Sequence, residues 1–129
     1  LADMDFVERI AEIATSNVIF CVSLHGDNPR VHDTIVNKSG SFEKTEAGIY
    51  NLARKGIKIE IRHVITKINY KRLPQMARHI YNYMPFCNHY AFMAMELHGE
   101  AVKNADCIMV NSAQYKSELA DAALLLERG

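Results

Sequence analysis

Two spacings of apolar residues alternate along the chain, one near four and one of two, and each switch marks a new element. Phe6, Ile10 and Ile13, flanked by Val7 and Ala14, predict an amphipathic helix over residues 5–14, ended by Thr15-Ser16-Asn17. Residues 18–24 form a short, continuous apolar run rich in β-branched side chains, which suits a strand covered on both faces. His25-Gly26-Asp27-Asn28-Pro29 reads as a loop, followed by a short helical turn over 31–37 and a break at Lys38-Ser39-Gly40. Ser41 is then the expected N-cap of a helix with Phe42, Ile49, Leu52 and Ala53 on one face and Gly56 just past its end. Ile57, Ile59 and Ile61 alternate with Lys58, Glu60 and Arg62 in a second strand that continues to Ile65.

Asn69 opens a third helical segment, with Leu73, Met76, Ala77, Ile80 and Met84 on its apolar face. Pro74 fits only a first turn, so the regular helix is expected from about Arg72. Pro85 marks its end. Residues 89–96 read as a third strand and 98–106 as irregular or briefly helical. Ser112 is the expected cap of a last helix, with Tyr115, Leu119, Ala122 and Leu126 as its buried stripe and Gly129 closing it. The order α-β-α-β-α-β-α predicts an α/β fold with parallel strands joined by right-handed crossovers. Three strands leave two open edges, and the chain opens on Leu1 rather than Met. The expectation is a piece of a larger barrel.

Strand alternation sorts the polar residues. Val18, Phe20, Val22 and Leu24 share one face of the first strand, and Ile19, Cys21, Ser23 and His25 the other. In the second strand Ile57, Ile59, Ile61 and His63 oppose Lys58, Glu60, Arg62 and Val64. One face suits a cover of helices. The other turns polar toward the carboxyl end, where parallel α/β sheets bind their ligands. Glu60 and Arg62 have a plainer reading as an intrastrand ion pair, and Ser23 as a residue bonded to backbone beside a turn.

Composition narrows the function. With 129 residues, 49% of them hydrophobic, the chain is one ordinary domain. Its 15 basic residues balance 15 acidic ones, which excludes a sequence-independent nucleic-acid binder and a polybasic membrane anchor. No run approaches the roughly 18–20 apolar residues of a membrane span, and no signal peptide opens the chain. Cys21, Cys87 and Cys107 are too few and too scattered for a disulfide framework, so a reducing cytoplasm is the expected compartment. None forms a metal or cluster spacing.

Ser23-Leu24-His25-Gly26-Asp27, followed by Val31-His32-Asp33, resembles the fourth strand and following loop of radical S-adenosylmethionine (radical SAM) enzymes, typically SLDG…hD. The likeness continues through Gly40-Ser41-Phe42, Gly48-Ile49-Tyr50-Asn51-Leu52, the stretch from Gly56 to Thr66, and Asn69. Leu73-Pro74, Tyr90-Ala91-Phe92-Met93 and Glu96…Gly99-Glu100-Ala101 are similar to the peptide-modifying branch, including maturases of His-Xaa-Ser systems. The resemblance implies strands four to six of a partial six-stranded (β/α) barrel, with residues 1–129 as the C-terminal half of its core domain. It further implies a parent enzyme that cleaves S-adenosylmethionine at a 4Fe-4S cluster and modifies a peptide or protein. Ser23 matches the serine that contacts S-adenosylmethionine, Arg62 the fifth-strand residue that meets its carboxylate, and Glu96 a glutamate facing the mouth after the sixth strand. A guanidinium fits the second role because its planar fork can grip a carboxylate with two donors. Asn69 matches a structural asparagine.

The sequence departs from that pattern in lacking CxxxCxxC, and His25 stands where the family has aspartate. The chain alone is therefore expected to hold no cluster or metal and to be inactive. The rival reading is a non-catalytic half-barrel that self-associates through its strand edges as a homodimer or serves as a scaffold. His32-Asp33 resembles one step of metal-dependent phosphohydrolases, but a single such step arises readily by chance. His63, His79, His89 and His98 lack the i, i+4 spacing of a helical zinc pair and read as surface or internally satisfied residues. The methionines and tyrosines of residues 81–95 read as core packing.

Overall fold

The computed structural model describes residues 1–14 and 17–127. The elements are α1 (Met4–Ile13), β1 (Ile19–Ser23), α2 (Pro29–Val36), α3 (Ser41–Arg54), β2 (Lys58–Ile65), a 3-10 turn (Tyr70–Arg72), α4 (Leu73–Tyr83), β3 (His89–Ala94), α5 (Glu100–Lys103), α6 (Ala105–Ile108) and α7 (Ser112–Glu127). The expected stops at Thr15-Ser16 and at Gly129 lie outside the described residues.

The strands form one parallel sheet in the order β1-β2-β3. Cys21 is level with Glu60 and His89, and Ser23 with Arg62 and Ala91. Both crossovers advance the sheet in the same direction, and right-handed connections then deliver their helices to the same face. Val22, Leu24, Ile59 and Ile61 are accordingly buried with Phe42, Ile49 and Leu52 of α3 and Met76 and Ile80 of α4. The helix α7 extends this layer, packing Tyr115 and Ala122 with Leu73, Ala77 and Ile65. Among the described residues no helix covers the opposite face. On it Ile19 is 41% and Met93 39% exposed, and Cys21, Ser23, Arg62 and His89 are exposed as well. The α/β order and parallel pairing are those the periodicity predicts, but these three strands close no barrel.

Several ends differ from expectation, each for a local reason. The start of α2 falls at Pro29 because Asn28 Oδ1 accepts the Val31 N–H at 3.1 Å and proline fits a first turn. Ser41 lies inside α3 and does not cap it. Instead the Asp33 carboxylate reaches across to accept the Gly40 N–H at 2.7 Å and the Phe42 N–H at 2.8 Å. Nor does Ser112 cap α7: Asn111 Oδ1 accepts the Ala113 N–H while Gln114 Oε1 accepts the Asn111 N–H, a capping box. Gly56 does terminate α3, with φ of 66° in the left-handed region. The 3-10 turn absorbs residues 70–72, so α4 begins one residue before Pro74, as that proline requires.

Packing also departs from the pattern in α1 and near α4. Val7 is the buried residue of α1, while Phe6 is 49% and Ile13 80% exposed, because the helix packs chiefly against α3 and only part of its apolar surface is covered. Of the methionines and tyrosines in residues 81–95, Met84 is buried, but Tyr81, Tyr83 and Met93 are exposed, so that stretch is not uniformly core. The two faces of the sheet should therefore respond differently to truncation. Ile61→Ala should cost about 2–5 kcal/mol in denaturant unfolding, and Ile19→Ala, on the uncovered face, under about 1 kcal/mol.

Candidate functional site

On the uncovered face the sheet places Ser23 directly beside Arg62. Arg62 Nε donates to Glu60 Oε1 at 2.6 Å along the same strand, so the plainer reading of this pair holds. The hydrogen bond from Arg62 holds the Glu60 carboxyl below its ordinary value, and the same bond raises the Arg62 guanidinium. Cys21 lies one row below, its thiol 3.6 Å from Glu60 Oε1. Arg62 Nη1 and Nη2 make no hydrogen bond among the described residues, so two nitrogens of its fork keep their N–H donors free. The row Ser23–Arg62–Ala91 is thus a hydroxyl and a braced cation beside a small residue.

Glu96 is not brought into this row. The strand β3 ends at Ala94, and Glu96 follows on an exposed segment with its carboxylate 3.7 Å from His98. The cysteines are likewise kept apart. Cys21 lies in β1, Cys87 in the turn before β3 at the opposite end of the sheet from His25, and Cys107 in α6. Burial pushes the Cys87 thiol up to about 11, so it is held as the thiol at neutral pH. Among the described residues no group of three or more His, Cys, Asp or Glu side chains is placed to hold a metal ion.

The carboxyl ends of β1 and β2 carry a second, denser polar assembly. Asn69 is its staple. Its Oδ1 accepts from the Thr66 N–H at 2.7 Å, and its Nδ2 donates to the carbonyls of His25 and Val64, both at 3.0 Å. One buried amide therefore ties the loop after β1 to the end of β2. Beside it Arg72 grips Asp27 through two nitrogens, at 2.8 and 2.6 Å. Partial burial works to raise the Asp27 carboxyl, but the hydrogen bonds and charge of Arg72 outweigh it and hold the group below its ordinary value. Asn28, Arg30, Val31, Thr34, Ile68 and Arg72 line an open cleft of about 550 Å³ at this end.

Three histidines converge under the same loop. The His25 ring stacks 6.0 Å from that of His32 and lies 6.3 Å from that of His63. His32 and His63 are buried, and the Nε2 atom of each has no hydrogen-bond partner among the described residues. Burial pushes His25 and His63 down to about 4, and for His25 the charge on His32 adds to the effect. Burial also lowers His32, against the pull of the Asp33, Glu43 and Glu46 carboxylates. The expectation that His63 is a surface or internally satisfied residue is therefore wrong at one ring nitrogen. Strand alternation places His63 on the apolar side of β2 but His25 on the opposite side of β1, and it is the loop beyond Ser23 that brings the two rings together.

No family model matches this chain, and no curated protein matches it. No helix among the described residues is long and apolar enough to cross a membrane.

Asn69→Ala should destabilise the protein by about 2–4 kcal/mol, because it strands two buried carbonyls and two Thr66 donors together. Chemical denaturation measures this. Loss of the Asn69 bonds should also speed hydrogen exchange at Thr66 well before that of the β2 centre.

Proposed function

We propose that the chain is the strand-four-to-six half of a radical SAM enzyme's core domain, and that its uncovered sheet face helps hold S-adenosylmethionine. The one-sided sheet, with Ser23 and Arg62 adjacent on the bare face, is the observation that carries this reading. A (β/α) barrel is a sheet whose crossovers all turn outward, leaving the inner face to side chains from the strands. Here α1 supports the same placement. Residues Leu1 and Ala2, held by Asn51 Nδ2 at 3.1 and 3.2 Å, border Ser23 at the carboxyl end of β1. Ala11 and Ala14 border Val18 and Lys58 at its amino end. The helix α1 therefore runs back along the sheet as a crossover does, and a strand leading into it would pair with the free edge of β1.

The residues fit the two implied groups unequally. The cysteines lie on separate elements and Cys87 is a half-buried thiol, so this chain does not fit a 4Fe-4S cluster. Any cluster ligands would come from another part of the protein. Ser23 and Arg62 do fit the amino-acid end of S-adenosylmethionine: the hydroxyl can donate or accept, and the Arg62 fork can take a carboxylate while Glu60 fixes its stem. When bound, S-adenosylmethionine supplies the adenosyl group from which such enzymes generate their radical. The protein's part is to orient that ligand and exclude water. Glu96 is assigned to the same mouth on the resemblance alone. The substrate class on this reading is a peptide or protein, in a reducing cytoplasm.

A second reading is favoured by the exposure of Ile19 and Met93 and by the edges of β1 and β3, which pair with nothing among the described residues. On it, the half-barrel stands alone as a scaffold and a second copy covers the bare face.

The coding sequence separates the two. Three further strand–helix units need about 100 codons upstream of Leu1. A CxxxCxxC there supports the enzyme, whereas a start codon immediately before Leu1 supports the self-associating half-barrel, for which a dimer in light scattering is the expected state. In the enzyme, Ser23→Ala or Arg62→Ala should weaken S-adenosylmethionine binding by about 1–3 kcal/mol, or roughly 5- to 150-fold. Unchanged affinity in both variants, read by calorimetry, would remove these residues from the site.

A further inference from the structure

We propose that His25, His32 and His63 form a proton-sensitive clamp on residues 24–28, and that protonating the clamp loosens the backbone of this loop. The direction of each hydrogen bond supports this assignment. The His25 N–H donates to His32 Nδ1 at 3.1 Å, and the Val64 N–H donates to His25 Nδ1 at 3.4 Å. Both acceptors need a lone pair on Nδ1, so both rings must be neutral with the proton on Nε2. His63 is the reverse. Its Nδ1 lies 2.9 Å from the Leu24 carbonyl, which can only accept, so Nδ1 carries the hydrogen and Nε2 the lone pair.

A proton added to His25 or His32 must go to Nδ1. It turns an acceptor into a donor facing another N–H, and the backbone bond is lost. A proton added to His63 goes to Nε2, which is buried without an acceptor among the described residues, and it sets a charge beside the His25 ring. Every protonation therefore breaks a bond of the loop or strands a charge beneath it.

The surrounding groups do not compensate. Asp27, on the loop itself, is held by Arg72 and Asn28. Asp33 of α2 is occupied by the Gly40 and Phe42 amides, and Glu46 of α3 by His79. Glu43 of α3 is exposed. The remaining neighbours are ring edges, Phe42 against His32 and Phe92 of β3 against His63. A released imidazole returns to 6.5, while His25 and His63 stand near 4 in the clamp. The released form thus binds more protons between those values, and the clamp weakens as pH falls through that window. This inference stands on the loop geometry and is independent of what the bare face binds.

Imidazole nitrogen NMR on the unsubstituted protein at about pH 7.5 is the first test. The expected pattern is Nε2–H on His25 and His32 and Nδ1–H on His63, and any other pattern overturns the clamp. Hydrogen exchange is then followed down to about pH 4.5. Corrected for the intrinsic rate, the His25 and Val64 amides should lose protection by at least about tenfold in step with imidazole titration, while Ile49, Leu52 and Ile61 keep theirs. Simultaneous loss along the chain overturns the proposal, as does a His25 amide still protected after His32 has titrated. His32→Asn sets an amide oxygen where Nδ1 sits, an acceptor that does not titrate. In that variant His25 and His63 still titrate, so the loss of His25-amide protection should persist but be smaller or fall at lower pH than in the unsubstituted protein, and an unchanged transition would count against the clamp.

Discussion

The handedness of two crossovers governs this molecule. Parallel neighbours in the order β1-β2-β3 require each connection to pass over the sheet, and both pass over the same side. That choice gives the helices one face to bury and leaves the other without cover. It assigns alternate residues of every strand to opposite fates: Val22, Ile59 and Ile61 enter the core, and Cys21, Glu60 and Arg62 do not. Had the sheet been wound on both faces, Lys58, Glu60 and Arg62 would lie under a helix, and the period of two in β2 would have been a run of uniform apolarity.

This is why so much of the architecture could be read from the residues. The alternation in β2 and the i, i+3, i+4 pattern of α4 are direct images of one-sided burial, and each predicted buried position of α4 is buried. The failures share a cause as well. Periodicity assumes that an apolar stripe meets a partner along its whole length. In α1 the main partner is α3, so Val7 is covered and Ile13 is not. Helix caps failed where the capping group is distant in sequence. Asp33 serves the start of α3 from the preceding helix, and nothing local to Ser41 announces that. Candidate site residues behaved likewise. Alternation put Ser23 and Arg62 on the bare face and the register of β1 and β2 puts them in one row, whereas Glu96 lies past the last paired residue, where no ladder fixes its direction.

The carboxyl end of the sheet is held by side chains more than by backbone pairing. Leu24 donates to the Arg62 carbonyl as the last rung between β1 and β2. Beyond it the loop depends on Asn69, on the Asp27–Arg72 pair and on the imidazoles. Buried amides and neutral rings suit that task because each offers a donor and an acceptor without a charge to desolvate. The cost appears as the two Nε2 atoms left without partners, about 1–3 kcal/mol apiece.

The Glu60–Arg62 pair bears on what can cover the bare face. Two isolated charges under a partner would each carry a desolvation penalty of several kcal/mol. Paired at 2.6 Å, with Ser23 and Cys21 as the polar neighbours in adjacent rows, they neutralise each other and leave the face without net charge at its centre. Ile19 at one end and Val64 with Met93 at the other supply apolar borders. A surface built this way tolerates water and tolerates burial. The bond that looks like an ordinary exposed ion pair is therefore also what makes the face coverable. A covering element has the free nitrogens of Arg62, the Ser23 hydroxyl and Lys58 beside Ile19 to satisfy, and an anionic group can accept from the Arg62 donors.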